Sequence, residues 1–133
     1  LKEESATEIK CQKMLTLLLT FSQRNPGITR LLTGDALSGE TERLRDRIAQ
    51  FYSRFESQLK QILREAQIRE NLKPTASPTA LANLLLATVE GRLTQFVRSE
   101  FKQSPLENWD VQWAFLSENL LVPFSTQNKT MVD

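Results

Sequence analysis

Histidine is absent from the 133 residues, and cysteine occurs once, as Cys11. The first absence removes the commonest general base and the commonest metal ligand. A lone cysteine can form neither an internal disulfide nor a thiolate metal site. Glycine occurs only four times and proline five. β-Branched clusters are sparse and no period-two stretch of useful length is present, so strands are not expected. No apolar run approaches the roughly 20 residues that span a bilayer, and no basic-then-apolar signal peptide opens the chain. An excess charge of one sign is also missing: Lys plus Arg is 17 and Asp plus Glu is 16, for a net charge of +1. A stand-alone nucleic-acid binder carries a clear basic excess. There is no Gly-rich phosphate loop, Walker pattern or dinucleotide fingerprint, and without histidine no ordinary catalytic triad. Together these absences point to a cytoplasmic, soluble domain that is not an enzyme and has no cofactor, metal or catalytic site. What remains is ordinary globular composition, 40% apolar and 25% charged, in a chain of one-domain size that can bury a core without staples.

The glycines and prolines separate long periodic runs, which predict an all-α architecture of five helices. The first runs from about Ser5 to Gln23. Ser5-Ala-Thr-Glu8 fits a capping box, and Ile9, Met14, Leu15, Leu18 and Phe21 recur at helical spacing. Leu17 and Leu19 widen the apolar surface, which predicts a helix covered on several sides. Cys11 is expected to be buried and inert. A short second helix has Asn25 as its cap and Pro26 at its first position, with Ile28, Leu31 and Leu32 inward and Gly34 at its end. The third begins between Asp35 and Thr41 and runs to about Asn71, a span of about 45 Å. Leu44, Ile48, Phe51, Phe55, Leu59, Ile62 and Ala66 form its apolar stripe, and Glu56, Lys60 and Arg64 its solvated outer face. Glu40 with Glu42, and Asp35 with Glu40, read as complements to the helix dipole rather than catalytic pairs.

Lys73-Pro-Thr-Ala-Ser-Pro78 reads as an interhelical loop. The fourth helix, from about Ser77 to Phe101, has two apolar faces. One carries Leu81, Leu85, Val89, Leu93 and Phe96. The other carries Leu84, Ala87, Gly91 and Thr94, small enough for a second helix to approach closely. A last helix, at about 108–122, carries Trp109, Trp113, Leu116 and Leu120 in one stripe and is expected to end at Pro123. Two terminal helices this rich in large and small apolar residues predict a homodimer. The interface would be an intermolecular four-helix bundle built from Leu84, Ala87, Gly91, Thr94, Trp109, Trp113, Leu116 and Leu120. The domain is expected to occupy residues 1–122, with a polar tail at 123–133.

One segment does not reduce to core patterning: Phe21-Ser-Gln-Arg-Asn-Pro-Gly-Ile-Thr-Arg-Leu-Leu-Thr-Gly34. Together with Gln58-Leu-Lys-Gln-Ile-Leu-Arg-Glu65 and the block Phe96 to Lys102, it resembles the C-terminal domain of SlmA-like, TetR-type nucleoid occlusion factors, from about Leu1 to Leu121. The resemblance implies an N-terminal helix-turn-helix domain that binds palindromic DNA and lies outside this chain. DNA is then bound through that domain and not through these residues. It also implies a nucleoid-associated homodimer that captures the C-terminal tail of the division protein FtsZ and antagonises its polymers over DNA. Carried over by position, the wall of the tail groove is Leu17, Thr20, Phe21, Arg24 and Asn25. An extended peptide with apolar and acidic side chains needs an apolar groove with a cation at its rim, and Leu17 with Arg24 supplies both. Thr20 stands where the family carries glycine, and Asp35-Ala-Leu-Ser-Gly39 departs from the family's pattern. Both departures bear on FtsZ rather than on the fold.

The alternative is a ligand-responsive TetR-type repressor, in which a small apolar effector enters the helical core and shifts the spacing of the DNA-reading heads. Phe51, Tyr52, Phe55, Phe96 and Trp113 would line such a pocket. A purely structural dimerisation module is the remaining class.

Overall fold

The computed structural model describes residues 4–35 and 42–124. Five helices follow in order: α1 (Ala6–Arg24), α2 (Pro26–Leu32), α3 (Glu42–Glu70), α4 (Pro78–Arg98) and α5 (Trp109–Ser117). Two three-residue strands, β1 (Leu72–Pro74) and β2 (Leu121–Pro123), pair antiparallel with Lys73 opposite Val122.

Each helix starts where its local chemistry directs. The capping box of α1 is complete: the Glu8 amide donates to Ser5 Oγ at 3.1 Å, and the Ser5 amide donates to Glu8 Oε1 at 3.0 Å. These bonds satisfy donors that a free helix end leaves unpaired. At α4 the Ala80 amide donates to Ser77 Oγ at 3.1 Å, with Pro78 opening the helix. Asn25 occupies the cap position of α2, but its side chain turns back and Nδ2 donates to the Phe21 carbonyl at 2.8 Å. Gly34 follows α2 at φ +83°, a backbone conformation open to glycine at little cost.

α1 and α4 are the central helices, α1 packed against α2, α3 and α4, and α4 against α1, α2 and α3. The core is built from Cys11, Leu15, Leu18 and Leu19 of α1, Leu59, Leu63 and Ala66 of α3, Leu85, Val89 and Leu93 of α4, and the two tryptophans of α5. Glu70, the last residue of α3, accepts from the Ala6 and Thr7 amides, both at 2.8 Å, and from Thr7 Oγ1 at 2.5 Å. The end of α3 thus caps the start of α1, and the two helices run antiparallel. Burial alone would raise the Glu70 carboxyl, but the hydrogen bonds from Thr7 and Ala6, with Lys10 nearby, hold it below the usual carboxylate value.

The α4–α5 connection is organised by Arg92, which is 8% exposed. Its Nε–H donates to the Pro105 carbonyl at 2.7 Å, and its other nitrogens donate to the Glu107 carbonyl and Gln112 Oε1. The guanidinium also lies 5.6 Å from the Trp109 ring centroid. A buried cation needs this much compensation.

Three expectations require correction. α5 ends at Ser117, well before Pro123, because residues 121–123 leave the helix to pair with β1. Thr75 reinforces that pairing through its amide to the Leu120 carbonyl (2.9 Å) and its hydroxyl to the Asn119 carbonyl (2.6 Å). The Lys73–Pro78 segment is therefore partly strand; pairing partners remote in sequence decide this, and three residues carry no periodic signal. Finally, Glu56 does not lie on the outer face of α3, since Asn83 Nδ2 of α4 donates to it at 3.4 Å. The start of the third helix and the tail beyond Phe124 involve residues outside the described set.

Candidate functional site

The last two turns of α1 and the turn into α2 carry the sequence-proposed groove residues. Steps of three and four put Leu17, Thr20 or Phe21, and Arg24 on one side of the helix. Leu17 is 71% exposed although its neighbours Leu18 and Leu19 are buried. Phe21 is partly exposed, Arg24 is exposed, and Thr20 and Asn25 are half-buried. α1 is covered on several sides, by α2, α3 and α4, but the side that carries Leu17 is not among them. Thr29 fixes the geometry of the turn, its Oγ1 donating to the Ser22 carbonyl at 2.8 Å and the Asn25 carbonyl at 2.9 Å. Trp109 Nε1–H donates to Thr16 Oγ1 at 2.9 Å, and Ser104 Oγ donates to Gln23, so α5 and its preceding loop brace the adjoining flank of α1.

Sequence reasoning missed Ile28. It was placed on the inward face of α2, but it is 43% exposed, one turn past Arg24. A seven-residue helix gives too few positions for its buried face to be read from spacing. Exposed apolar side chains thus stand on both sides of the Asn25 break, Leu17 and Phe21 on α1 and Ile28 on α2, with the exposed Arg24 between them in the chain. An apolar strip beside a guanidinium suits an extended segment bearing apolar and acidic side chains.

The residues assigned to a dimer interface divide into two groups. Leu84, Ala87, Gly91 and Thr94 all lie exposed along one face of α4. A Cβ built on Gly91 meets nothing within 4 Å. Trp109 and Trp113, each 2% exposed, and Leu120 are buried within the protomer, and Leu116 packs against the same core. Trp109, Trp113 and Leu120 have almost no surface left for a partner, and Leu116 is half-buried. The outward face of α5 is the opposite one, where Val111 and Phe115 are 73% and 70% exposed. Both stripes of this short helix are apolar, so spacing could not tell the inner from the outer.

The aromatic residues proposed for an effector pocket do not converge. Phe51, Tyr52 and Phe55 stack along α3, Phe96 meets Phe101 with ring centroids 5.2 Å apart, and Trp113 stacks on Trp109. Phe51 and Phe55 line a shallow open depression with Arg47, Gln50, Arg54 and Gln58, while Trp113 lines a different one with Glu4, Glu8 and Asp110. Cys11 is fully buried, and burial, with Glu8 nearby, pushes its thiol up to about 12. That chemistry is inert at neutral pH.

This helical arrangement is a regulatory-domain scaffold, and the chain belongs to the SlmA-like family of tetracyclin repressor-like C-terminal domains, which matches it over residues 5–121. The chain is similar to the nucleoid occlusion factor SlmA of Shewanella denitrificans and to that of Shewanella sediminis, each 56% identical over 119 residues. The SlmA protein of Shewanella halifaxensis is 54% identical over the same length. In each case the match covers 90% of this chain and 60% of the relative. The chain therefore spans less than two thirds of the relatives it matches.

Proposed function

We propose that this chain is the dimerising, partner-capturing domain of a nucleoid occlusion factor that binds the C-terminal tail of FtsZ and inhibits septum assembly over DNA. Leu17, Thr20, Phe21, Arg24 and Asn25 form one wall of the tail groove, with Ile28 extending it. The observation that carries this reading is the 71% exposure of Leu17 next to the buried Leu18 and Leu19, on the helix that ends in the exposed Arg24. Water-exposed leucine on a central helix costs hydrophobic stabilisation of up to about 2 kcal/mol, and a binding surface accounts for it. In this reading DNA is held by a helix-turn-helix region outside these residues, and the protein works as a cytoplasmic, nucleoid-associated, non-enzymatic homodimer. The dimer forms through Leu84, Ala87, Gly91 and Thr94 of α4 and, in place of the tryptophan stripe, Val111 and Phe115 of α5.

The decisive experiment is fluorescence anisotropy of a labelled FtsZ tail peptide titrated with full-length protein carrying this domain, with and without DNA. Saturable binding that is abolished by Leu17→Glu and by Arg24→Asp, each variant still folded and dimeric, is the expected result. Absence of binding at high micromolar protein would overturn it and favour the effector-responsive repressor. The dimer has its own test. Gly91→Leu has room within the protomer, so a shift to monomer by light scattering reports crowding by a partner helix; an unchanged dimer places the interface elsewhere.

A further inference from the structure

The solvent face of α3 carries a feature that the groove on α1 does not explain. Arg43, Arg47, Gln50, Arg54, Ser57, Gln61, Arg64 and Ile68 follow one another at alternating steps of four and three, and every one is exposed. Such steps keep residues in one line along a helix, so the row is about 38 Å long. The face holds four arginines against two carboxylates: Asp46 and Glu65 lie at its margins, while Glu42, Glu56 and Glu70 fall off it. None of the four guanidinium groups has a hydrogen bond or ion pair among the described residues. Arg43 and Arg47, four residues apart, repel one another, and the cations on this face outnumber its carboxylates. Two apolar side chains adjoin the row. Ile68 is 85% exposed at one end, and Phe51 is 39% exposed at the edge of a depression of about 430 Å³ that it shares with Arg47, Arg54 and Phe55.

We propose that this face of α3 is a docking surface for an acidic polypeptide segment of a partner protein. Its carboxylates pair with Arg43, Arg47, Arg54 and Arg64, and its apolar side chains rest on Phe51 and Ile68. Charge complementarity requires an anion, because arginine forks match carboxylates with two parallel bonds. The exposed isoleucine and phenylalanine select polypeptide over nucleic acid, since a phosphate backbone offers them nothing, while arginine with aromatic residues is the composition of protein interfaces. The chain's net charge of +1 likewise supplies little of the long-range field on which polyanion binding depends. This surface is separate from the groove on α1, so either can fail without the other.

The probe is a labelled helical peptide of about 25 residues with glutamates in the same alternation of steps and leucines beside them, titrated by anisotropy with the whole chain at low salt. Saturable micromolar binding is expected, weakened about tenfold or more by Arg47→Glu with Arg54→Glu and several-fold by Ile68→Ser. All three residues are exposed, and circular dichroism is expected to show unchanged helicity in these variants. The control Lys102→Glu, a single charge reversal on the exposed loop after α4 to be set beside Arg47→Glu alone, should leave binding unchanged. The proposal is overturned if a glutamine-for-glutamate peptide binds equally well, or if Lys102→Glu weakens binding as much. It is also overturned if duplex DNA shows the stronger arginine-dependent binding, or if Arg47→Glu with Arg54→Glu instead changes the chain's own oligomeric state.

Discussion

α1 and α3 are both amphipathic helices of the same core, yet they bury their residues on opposite terms. α1 buries seven of its 19 residues, and α3 three of its 29, all between Leu59 and Ala66. α1 is central, so an exposed leucine there is an anomaly that marks a surface kept open. α3 packs against α1, α4 and β1 but buries no residue before Leu59, so the partial exposure of Phe51 is ordinary there and the ordering of its charges is the informative feature. The same observation, an apolar side chain in water, means different things on the two helices because the surrounding cover differs.

Substitutions can break this contrast. The largest loss is expected at Trp113→Ala, about 3–5 kcal/mol in urea denaturation. The ring is buried between α5 and the core, and its indole N–H donates to Glu4 Oε2 at 2.9 Å, next to the start of α1. A loss below about 1 kcal/mol would show that α5 is not part of the cover over α1. Next comes a matched pair. Leu15→Ala on α1 should cost about 3 kcal/mol, and Phe51→Ala on the N-terminal half of α3 about 1 kcal/mol. Equal losses would erase the distinction between the well-buried α1 and the sparsely buried N-terminal half of α3.

Glu70 joins the two helices, and Glu70→Gln is expected to cost about 1 kcal/mol at neutral pH as a lost cap. The sign with pH follows from the lowered carboxyl. The carboxylate's contribution is fully present above the unfolded value near 4.5 and is lost as pH falls through the lower folded value. The stability gap between wild type and Glu70→Gln should therefore be flat at neutral pH and close in acid; a gap that persists in acid would mean that the charge is not what caps α1. The smallest effect is expected at Leu17→Glu, within about 0.5 kcal/mol of wild type. A loss of core size there would show that Leu17 is packed, and would remove the observation on which the groove rests.

Much of this was legible in the residue order. Ser5 with Glu8, Asn25-Pro26, Gly34 and Ser77-Pro78 punctuate the chain at or beside the observed helix boundaries, because caps and turn residues act within a few positions of themselves. The groove residues were legible only through resemblance, since the pattern around Leu17 is that of a helix apolar on several sides. The inner and outer faces of α5 were not legible. Trp109 with Trp113 and Val111 with Phe115 offer two apolar stripes on nine residues, and only the position of α1 selects the tryptophans as core. Ile28 was misplaced for the same reason on a helix of seven.

By itself the sequence determined the all-helical class, the order of the five helices with most of their starts, the buried and inert Cys11, and the absence of the usual catalytic motifs from the residue order. These follow from local chemistry and periodicity, which need no knowledge of distant residues. Only the tertiary structure decided that Leu17 and Ile28 face water, that Glu70 caps a helix more than 60 residues away in the chain, that residues 121–123 pair with 72–74, and that Arg43, Arg47, Arg54 and Arg64 have no ion pair among the described residues. Each of these depends on which elements lie against which, and burial and pairing belong to neighbours in space.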